Sequence, residues 1–482
     1  MPTAIFIAFL IYFITVLLFG VITYRQTHNL SDYVLGSRKL GVLVTGLSTG
    51  ASGMSAWLLL GLPGDFYVHG LNRIWLVVCL LIGTYLNWIL IAKRLRIYTE
   101  KLNNSLTISE FLHNRFHDDS NWLRVISSLT IILFFTFYIS MGLVSGAMLF
   151  ENSFGLNYTL ALWISASVIV TYTILGGFLA VSWTDVLQGF LMLLAMIIVP
   201  IGIIYEIGSW EVIATRISQI DPARLELFGN LSVVGFLSLI GWGLGYFGQP
   251  HLMVRFMAIK EVRNLPKACW IDLSWKTVSM LGASTIGMVG IAYFANAPLA
   301  NPEKLFLEVT QILFNPWVAG GLLAAVLSAI MSTMDSQLLV CSSAITEDFY
   351  RTFWRRKASQ VELLWIGRIS LLVIALIALA LAHNPENSII KLTSYAWAGL
   401  GSSLGPVIIF SLYWTRMTRN GALAGMIVGA VTVVVWERLT VFEIIPFTLY
   451  EMVPAFFLSC ITIVGVSLLD KAPKYLTINT ET

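Results

Sequence analysis

The chain has 482 residues, 57% of them hydrophobic and 11% charged, and a net charge of +3. Soluble domains carry about 25% charged residues, so this composition excludes a large water-soluble enzyme and points to an integral membrane protein. Its four cysteines, Cys79, Cys269, Cys341 and Cys460, are scattered without a CxxC pair, which excludes a zinc ribbon or a disulfide framework.

Thirteen apolar stretches follow one another, at roughly 5–24, 42–68, 72–92, 124–150, 158–176, 184–205, 233–255, 275–297, 316–346, 364–383, 391–413, 422–440 and 446–469. The opening Met1-Pro2-Thr3-Ala4 has neither a basic n-region nor a cleavage site, so the first stretch is expected to stay as a span. With the N-terminus outside, most of the 29 lysines and arginines fall inside, among them Arg38, Lys39, Lys93, Arg124, Arg255, Lys260, Lys276 and Arg351. Arg73, Arg216, Arg224, Lys304, Lys391 and Arg438 fall on the other side. That asymmetry orients the chain, and an odd number of spans leaves the C-terminus in the cytoplasm. The connections and the tail after Leu469 are too short for a soluble catalytic or nucleotide-binding domain. Nothing suggests a nucleic-acid partner or an obligate protein partner; the lipid bilayer is the expected surrounding.

The second stretch is interrupted by Gly50-Ala51-Ser52-Gly53-Met54-Ser55 and the seventh by Gly241-Trp242-Gly243-Leu244-Gly245-Tyr246-Phe247-Gly248-Gln249-Pro250. A helix in lipid satisfies its backbone internally, so an opening at mid-membrane is costly unless the freed groups bind something. Two breaks five spans apart divide the chain into 1–41 (the first helix and a loop), 42–232 (spans two to six), 233–420 (spans seven to eleven) and 421–482 (two peripheral helices and the tail). The corresponding helices run in opposite directions, the pattern of an inverted-repeat secondary transporter. Close packing through glycines is the plainer explanation of either break alone. Gly243-Leu244-Gly245-Tyr246-Phe247-Gly248 also matches GxGxxG by letter, but it lies inside a hydrophobic span without the strand a dinucleotide site needs.

The ninth span carries a polar face: Ala329, Ser332, Thr333 and Ser336 share one side of a helix, with Asp335 at its border. Hydroxyls and carbonyls are hard donors suited to an alkali cation; back-bonding to the preceding turn is the plainer use of such serines. Asp335 lies at membrane depth, where charge is rare and faces a partner or a cavity, whereas Asp185 starts the sixth span near the cytoplasmic side, where a helix N-terminal role is the plainer one. Asp65 and His69 are expected at the outer interface, and His251 as a structural hydrogen bonder. No HExxH motif suggests an enzyme.

Several longer runs are more specific: Gly61-Leu62-Pro63-Gly64, Gly176 to Asp185, Gly243 to His251, Phe314-Asn315-Pro316-Trp317, Cys341 to Asp348, Ser394 to Gly399 and Trp414 to Gly421. On these the chain resembles the solute:sodium symporter family over essentially its whole length. The resemblance implies an all-α integral membrane fold of the leucine-transporter type, a five-plus-five inverted repeat within 13 transmembrane helices. It implies a multi-pass protein of a bacterial inner membrane that takes up L-proline with sodium by alternating access. It further implies a sodium site of backbone carbonyls at Ala51, Met54 and Ala329 with the hydroxyls of Ser332 and Thr333. Substrate is then expected between the breaks, near Ser55, Ala56, Trp57, Tyr138, Trp242, Tyr246 and Pro250.

The chain departs from the family pattern at Gly53, where well-known proline carriers have an aspartate, and at Asp335, where they have a small polar residue. Asp185, Asp335 and Ser336 are therefore expected to flank a second position that takes another sodium or a shared proton. A proton-coupled or mixed carrier of proline, or of another small zwitterion or organic acid, is the alternative reading.

Overall fold

The computed structural model describes residues 2–24, 29–175, 177–384, 388–442 and 448–472. Gly176, the start of the 446–469 stretch and most of the tail lie outside them. Among the described residues the chain is helical, apart from turns and an isolated parallel bridge between Leu40 and Ile259. Helix is the form that satisfies every backbone group within one segment in lipid.

The principal helices are α1 (Pro2–Tyr24), α2 (Val42–Met54), α3 (Gly61–His69), α4 (Ile74–Asn87), α5 (Trp122–Phe154), α6 (Tyr158–Leu175), α7 (Phe178–Ile207), α8 (Val233–Leu244), α9 (Pro250–Ala258), α10 (Leu265–Tyr293), α11 (Pro316–Ser343), α12 (Gln360–Leu381), α13 (Ile389–Tyr413), α14 (Arg419–Val441) and α15 (Met452–Leu469). Nine helical stretches among the described residues are long and apolar enough to cross a membrane. Their ends carry the expected signals. Asn315 accepts from the backbone N–H groups of Trp317 and Val318 ahead of Pro316, and Ser359 with Glu362 forms a capping box on α12.

The helices sort by burial. The most apolar windows of α5, α11 and α13 are 83% buried, against 28% for α1 and α14 and 33% for α15. The first group forms the centre, and the second turns its apolar surface outward, as a bilayer allows. At the centre, α2 packs against α7, α9, α10 and α11.

Both interrupted stretches are broken helices. α2 ends at Met54, a short 3₁₀ turn spans Ala56–Leu58, and α3 resumes at Gly61. Ser55 at the break has φ +55° and ψ −174°, a conformation a side chain adopts only at a cost of about 1–3 kcal/mol. α8 passes into a 3₁₀ turn at Gly245–Gly248, extends at Gln249, and restarts with Pro250 as the first residue of α9.

α10 begins at Leu265, ten residues before the expected start of its apolar stretch. Asp272 and Lys276 read as the polar end of a span, yet both are buried within the helix. Arg255, expected at the cytoplasmic surface, is buried in α9 as well. A hydropathy pattern treats a paired charge like a solvated one, which accounts for both differences.

The glycines of the second break also serve packing. A Cβ on Gly83 would collide with the backbone of Gly243, and one on Gly243 would stand 2.5 Å from the Cys79 carbonyl oxygen. α4 and α8 thus touch backbone to backbone. Gly243→Ala should therefore destabilise the protein by about 1–3 kcal/mol, read as a lower melting temperature in detergent, whereas Gly465→Ala, with nothing within 4 Å of its Cβ, should leave it unchanged.

Candidate functional site

The site begins where α2 stops. Its last carbonyls have no next helical turn to accept from, and α11 supplies partners. Ser332 Oγ donates to the Ala51 carbonyl at 3.2 Å and to its own Ala329 carbonyl at 3.2 Å. Thr333 Oγ1 donates to the Ser52 carbonyl at 2.9 Å. Two adjacent hydroxyls of the ninth stretch therefore reach across to the open end of the second. Ala51, Ala329, Ser332 and Thr333 are brought together, and Met54 is the final residue of the same turn. Ser328 and Ser336 bond back to the carbonyls of Ala324 and Ser332, both at 2.8 Å. All the grouped atoms are oxygens, and each hydroxyl keeps lone pairs. Oxygen donors of this kind are chemically suited to an alkali cation.

Beside the break lies a narrow cavity of about 20 Å³ lined by Gly53, Met54, Trp57, Leu80, Tyr138, Trp242, Tyr246, Thr393 and Trp397. Trp57 and Trp242 stack at 5.9 Å and 24°, and Tyr450 stacks on Trp242 at 5.1 Å. Both tryptophans also line a larger cavity of about 340 Å³ that includes Asp65, Arg73 and Glu437. The stacked rings thus separate the two spaces. Asp65 pairs with His69 at 2.9 Å and with Arg73 at 3.1 Å.

Four of the expected substrate residues, Trp57, Tyr138, Trp242 and Tyr246, share the small cavity. Ser55 and Ala56 are buried at the break but do not line it, and Ser55 Oγ accepts from the Trp57 N–H at 3.2 Å. Pro250 lines a different narrow cavity, together with Phe178, Arg255, Ser336 and Asp348. Two carbonyls of the second break are already engaged: Trp397 Nε1 donates to Trp242 at 2.9 Å, and Gln249 Nε2 to Gly245 at 3.2 Å. Thr393 and Trp397 of α13 belong to the cavity and were not expected there. Trp397 stood in the Ser394–Gly399 run, but no pattern gave it a role.

The expected open position between Asp185 and Ser336 is not what the geometry gives, because a guanidinium stands there. Arg255 Nη2 lies 3.0 Å from Asp185 Oδ2 and 2.5 Å from Ser336 Oγ. Its Nε donates to Ser48 Oγ at 3.0 Å and its Nη1 to the His251 carbonyl at 2.6 Å. Ser48 Oγ in turn donates to Asp185 Oδ2 at 2.6 Å. Asp335 points elsewhere and accepts a hydrogen bond from Thr173 of α6; its Oδ2 has no hydrogen-bond partner among the described residues. His251 packs edge-on to Phe135 at 5.3 Å, with the Ser52 backbone as the polar partner beside its ring.

The model of the sodium:solute symporter family matches residues 33–429. A sodium/proline symporter of Salmonella typhimurium is 49% identical over 98% of this chain and 94% of its own length. One of Escherichia coli has the same identity and coverage. A high-affinity proline transporter of Bacillus subtilis is 48% identical over 95% of this chain and 96% of its own. Among solved structures, a Na+-coupled sialic acid symporter in a substrate-bound, outward-open state superposes with a TM-score of 0.84 at 17% identity. It covers 98% of this chain and 99% of the other. At that identity the likeness concerns the fold.

Removing one member of a buried charge pair strands the other, at a cost of about 3–5 kcal/mol. Asp185→Asn and Arg255→Met should each lower the melting temperature sharply, and the double variant should lose clearly less than the sum. Additive losses would show that the two side chains do not act as a unit.

Proposed function

The chain belongs to the sodium:solute symporter family, and on that premise we propose that it is a carrier, not an enzyme, that takes up L-proline with sodium by alternating access. The observation that carries this reading is the pair of hydroxyls, Ser332 and Thr333, bridging to the open end of α2 beside a small aromatic cavity. In this reading sodium is held by the carbonyls of Ala51, Met54 and Ala329 with the two hydroxyls. By tying α11 to α2, the ion steadies the break that forms one wall of the cavity, and so raises substrate affinity.

Proline lies between Trp57, Tyr138, Trp242 and Tyr246, whose apolar faces suit a small ring. Ser55, Ala56 and Pro250 act by shaping the two breaks, since the side of the cavity is formed by their neighbours. The larger cavity beyond the tryptophan pair is the outer approach, and the one lined by Pro250 and Arg255 the inner exit. In this arrangement residues 42–232 and 233–420 form the two inverted repeats, and the protein lies in a bacterial inner membrane with its N-terminus outside and C-terminus inside. One sodium ion gains ~2.3 kcal/mol per 100 mV and ~1.4 kcal/mol per tenfold gradient, enough to concentrate substrate roughly a thousandfold.

A second reading adds proton coupling. Asp335, buried with one oxygen free of partners among the described residues, is the group that supports it. Asp185 serves that role less well, being paired with Arg255.

Purified protein in proteoliposomes should accumulate labelled proline under an inward sodium gradient. A pH gradient alone, without sodium, should drive none. Accumulation under the pH gradient would establish the second reading, and competition by another zwitterion in preference to proline would change the substrate. Ser332→Ala and Thr333→Ala should each raise half-saturating sodium about tenfold, the effect of ~1.4 kcal/mol of lost ion binding, with little change in maximal rate. The opposite split, rate lost and sodium requirement kept, would remove these residues from the ion site.

A further inference from the structure

Lys276 and Asp272, one turn apart on α10, form a 3.1 Å ion pair whose side chains are 1% and 0% exposed. Neither belongs to the ion or substrate positions described above. Desolvating two charges is costly, so such a pair at membrane depth commonly marks a functional position. Its surroundings are specific. Trp88 Nε1 donates to Asp272 Oδ2 at 2.7 Å, and Lys276 Nζ lies 3.5 Å from Thr84 Oγ1. The ammonium also stands 4.7 Å from the ring centre of Tyr246, and that ring lines the aromatic cavity.

The pair runs along the last turn of α2. A Cβ placed on Gly50 would stand 3.1 Å from Asp272 Oδ1, and one on Gly53 would stand 3.8 Å from Lys276 Nζ. The carboxylate therefore sits beside the turn before the break, and the ammonium beside its open end. Glycine at 53 leaves the turn bare on this side, with Leu252 Cδ2, 3.1 Å from that Cβ position, as the nearest atom. The open end is where unpartnered carbonyls gather and where the helix dipole concentrates partial negative charge, so a cation is favoured there. Sodium, in the reading proposed above, is one such cation, and Lys276 is another that never leaves.

We infer that Lys276 is a resident cation at the open end of α2 that shares with sodium the neutralisation of that end, and that with Asp272 it sets how tightly sodium is held. The inference rests on the sodium reading. The ammonium repels an arriving sodium ion and Asp272 offsets that repulsion, so the balance of charge in the pair tunes the ion requirement. A purely structural pair would behave differently, because any change to it would weaken the site whatever charge remained.

The test measures half-saturating sodium for labelled proline binding to the full-length purified protein. Lys276→Met leaves the carboxylate alone and should lower it at least tenfold, the effect of one unit charge about 12 Å away at an effective dielectric of about 20. Asp272→Asn with Lys276→Arg leaves a permanent cation and should raise it by a similar factor. The neutral double variant, Asp272→Asn with Lys276→Met, should fall between them. Should Lys276→Met alone fail to fold, the two double variants still differ by one positive charge and decide the matter. Equal sodium requirements across the variants, or weakening in all of them, would overturn the inference while leaving the sodium reading intact. A wild-type protein whose proline binding ignores sodium would instead remove the sodium reading and this inference with it.

Discussion

A backbone opened at the middle of a bilayer must find partners for the groups it frees, and most of this architecture follows from that requirement at Ser55. Water is absent at that depth, so the carbonyls ending α2 need donors from neighbouring helices. Ser332 and Thr333 provide them, which ties α11 to α2. The break itself is held in an unfavourable backbone conformation at a non-glycine residue. Strain of that kind persists only where surrounding packing over-determines it, and α2 is enclosed by α7, α9, α10 and α11. The same enclosure creates the cavity, because a helix that stops leaves space along its axis.

Around this centre lie two buried charge pairs of different construction. Arg255 is bound by Asp185, Ser48, Ser336 and the His251 carbonyl, and so links α2, α7, α9 and α11 in one polar knot. Lys276 and Asp272 lie on one helix and press against α2 from the side. Both place a fixed positive charge close to the oxygen cluster. A carrier must bind its ion tightly enough to load and weakly enough to release, and permanent neighbouring charges adjust that balance without changing the ligands themselves. Arg255 is locked by several partners on separate elements, whereas Lys276 has one ionic partner among the described residues, on its own helix, which makes it the more adjustable of the two.

The second break shows the same constraint met differently. Its freed carbonyls are taken by Trp397 and Gln249 side chains, and its glycines allow α4 and α13 to approach the backbone closely. Two interruptions that look alike in sequence therefore differ in what fills them. The first is bridged by small hydroxyls and borders an ion-sized cluster. The second is sealed by large polar and aromatic groups and contributes a wall.

Much was legible in the sequence. Hydropathy placed the helices because lipid imposes one local requirement on every residue of a span, and the glycine clusters marked both breaks. The face shared by Ala329, Ser332 and Thr333 follows from helical spacing alone, and it is the face that meets α2. What surrounds these elements was decided by tertiary structure. The guanidinium between Asp185 and Ser336 comes from Arg255, seventy residues away along the chain, and its composition reads as an ordinary cytoplasmic charge. Lys276 reads the same way until the helix carrying it is packed against Gly53. A local pattern records how polar a residue is but not which charge it will meet, because pairing depends on helices brought together only by folding. The chain by itself determined which stretches are apolar and where two of its helices break; the packing of distant helices determined which charged side chains and rings stand at the breaks.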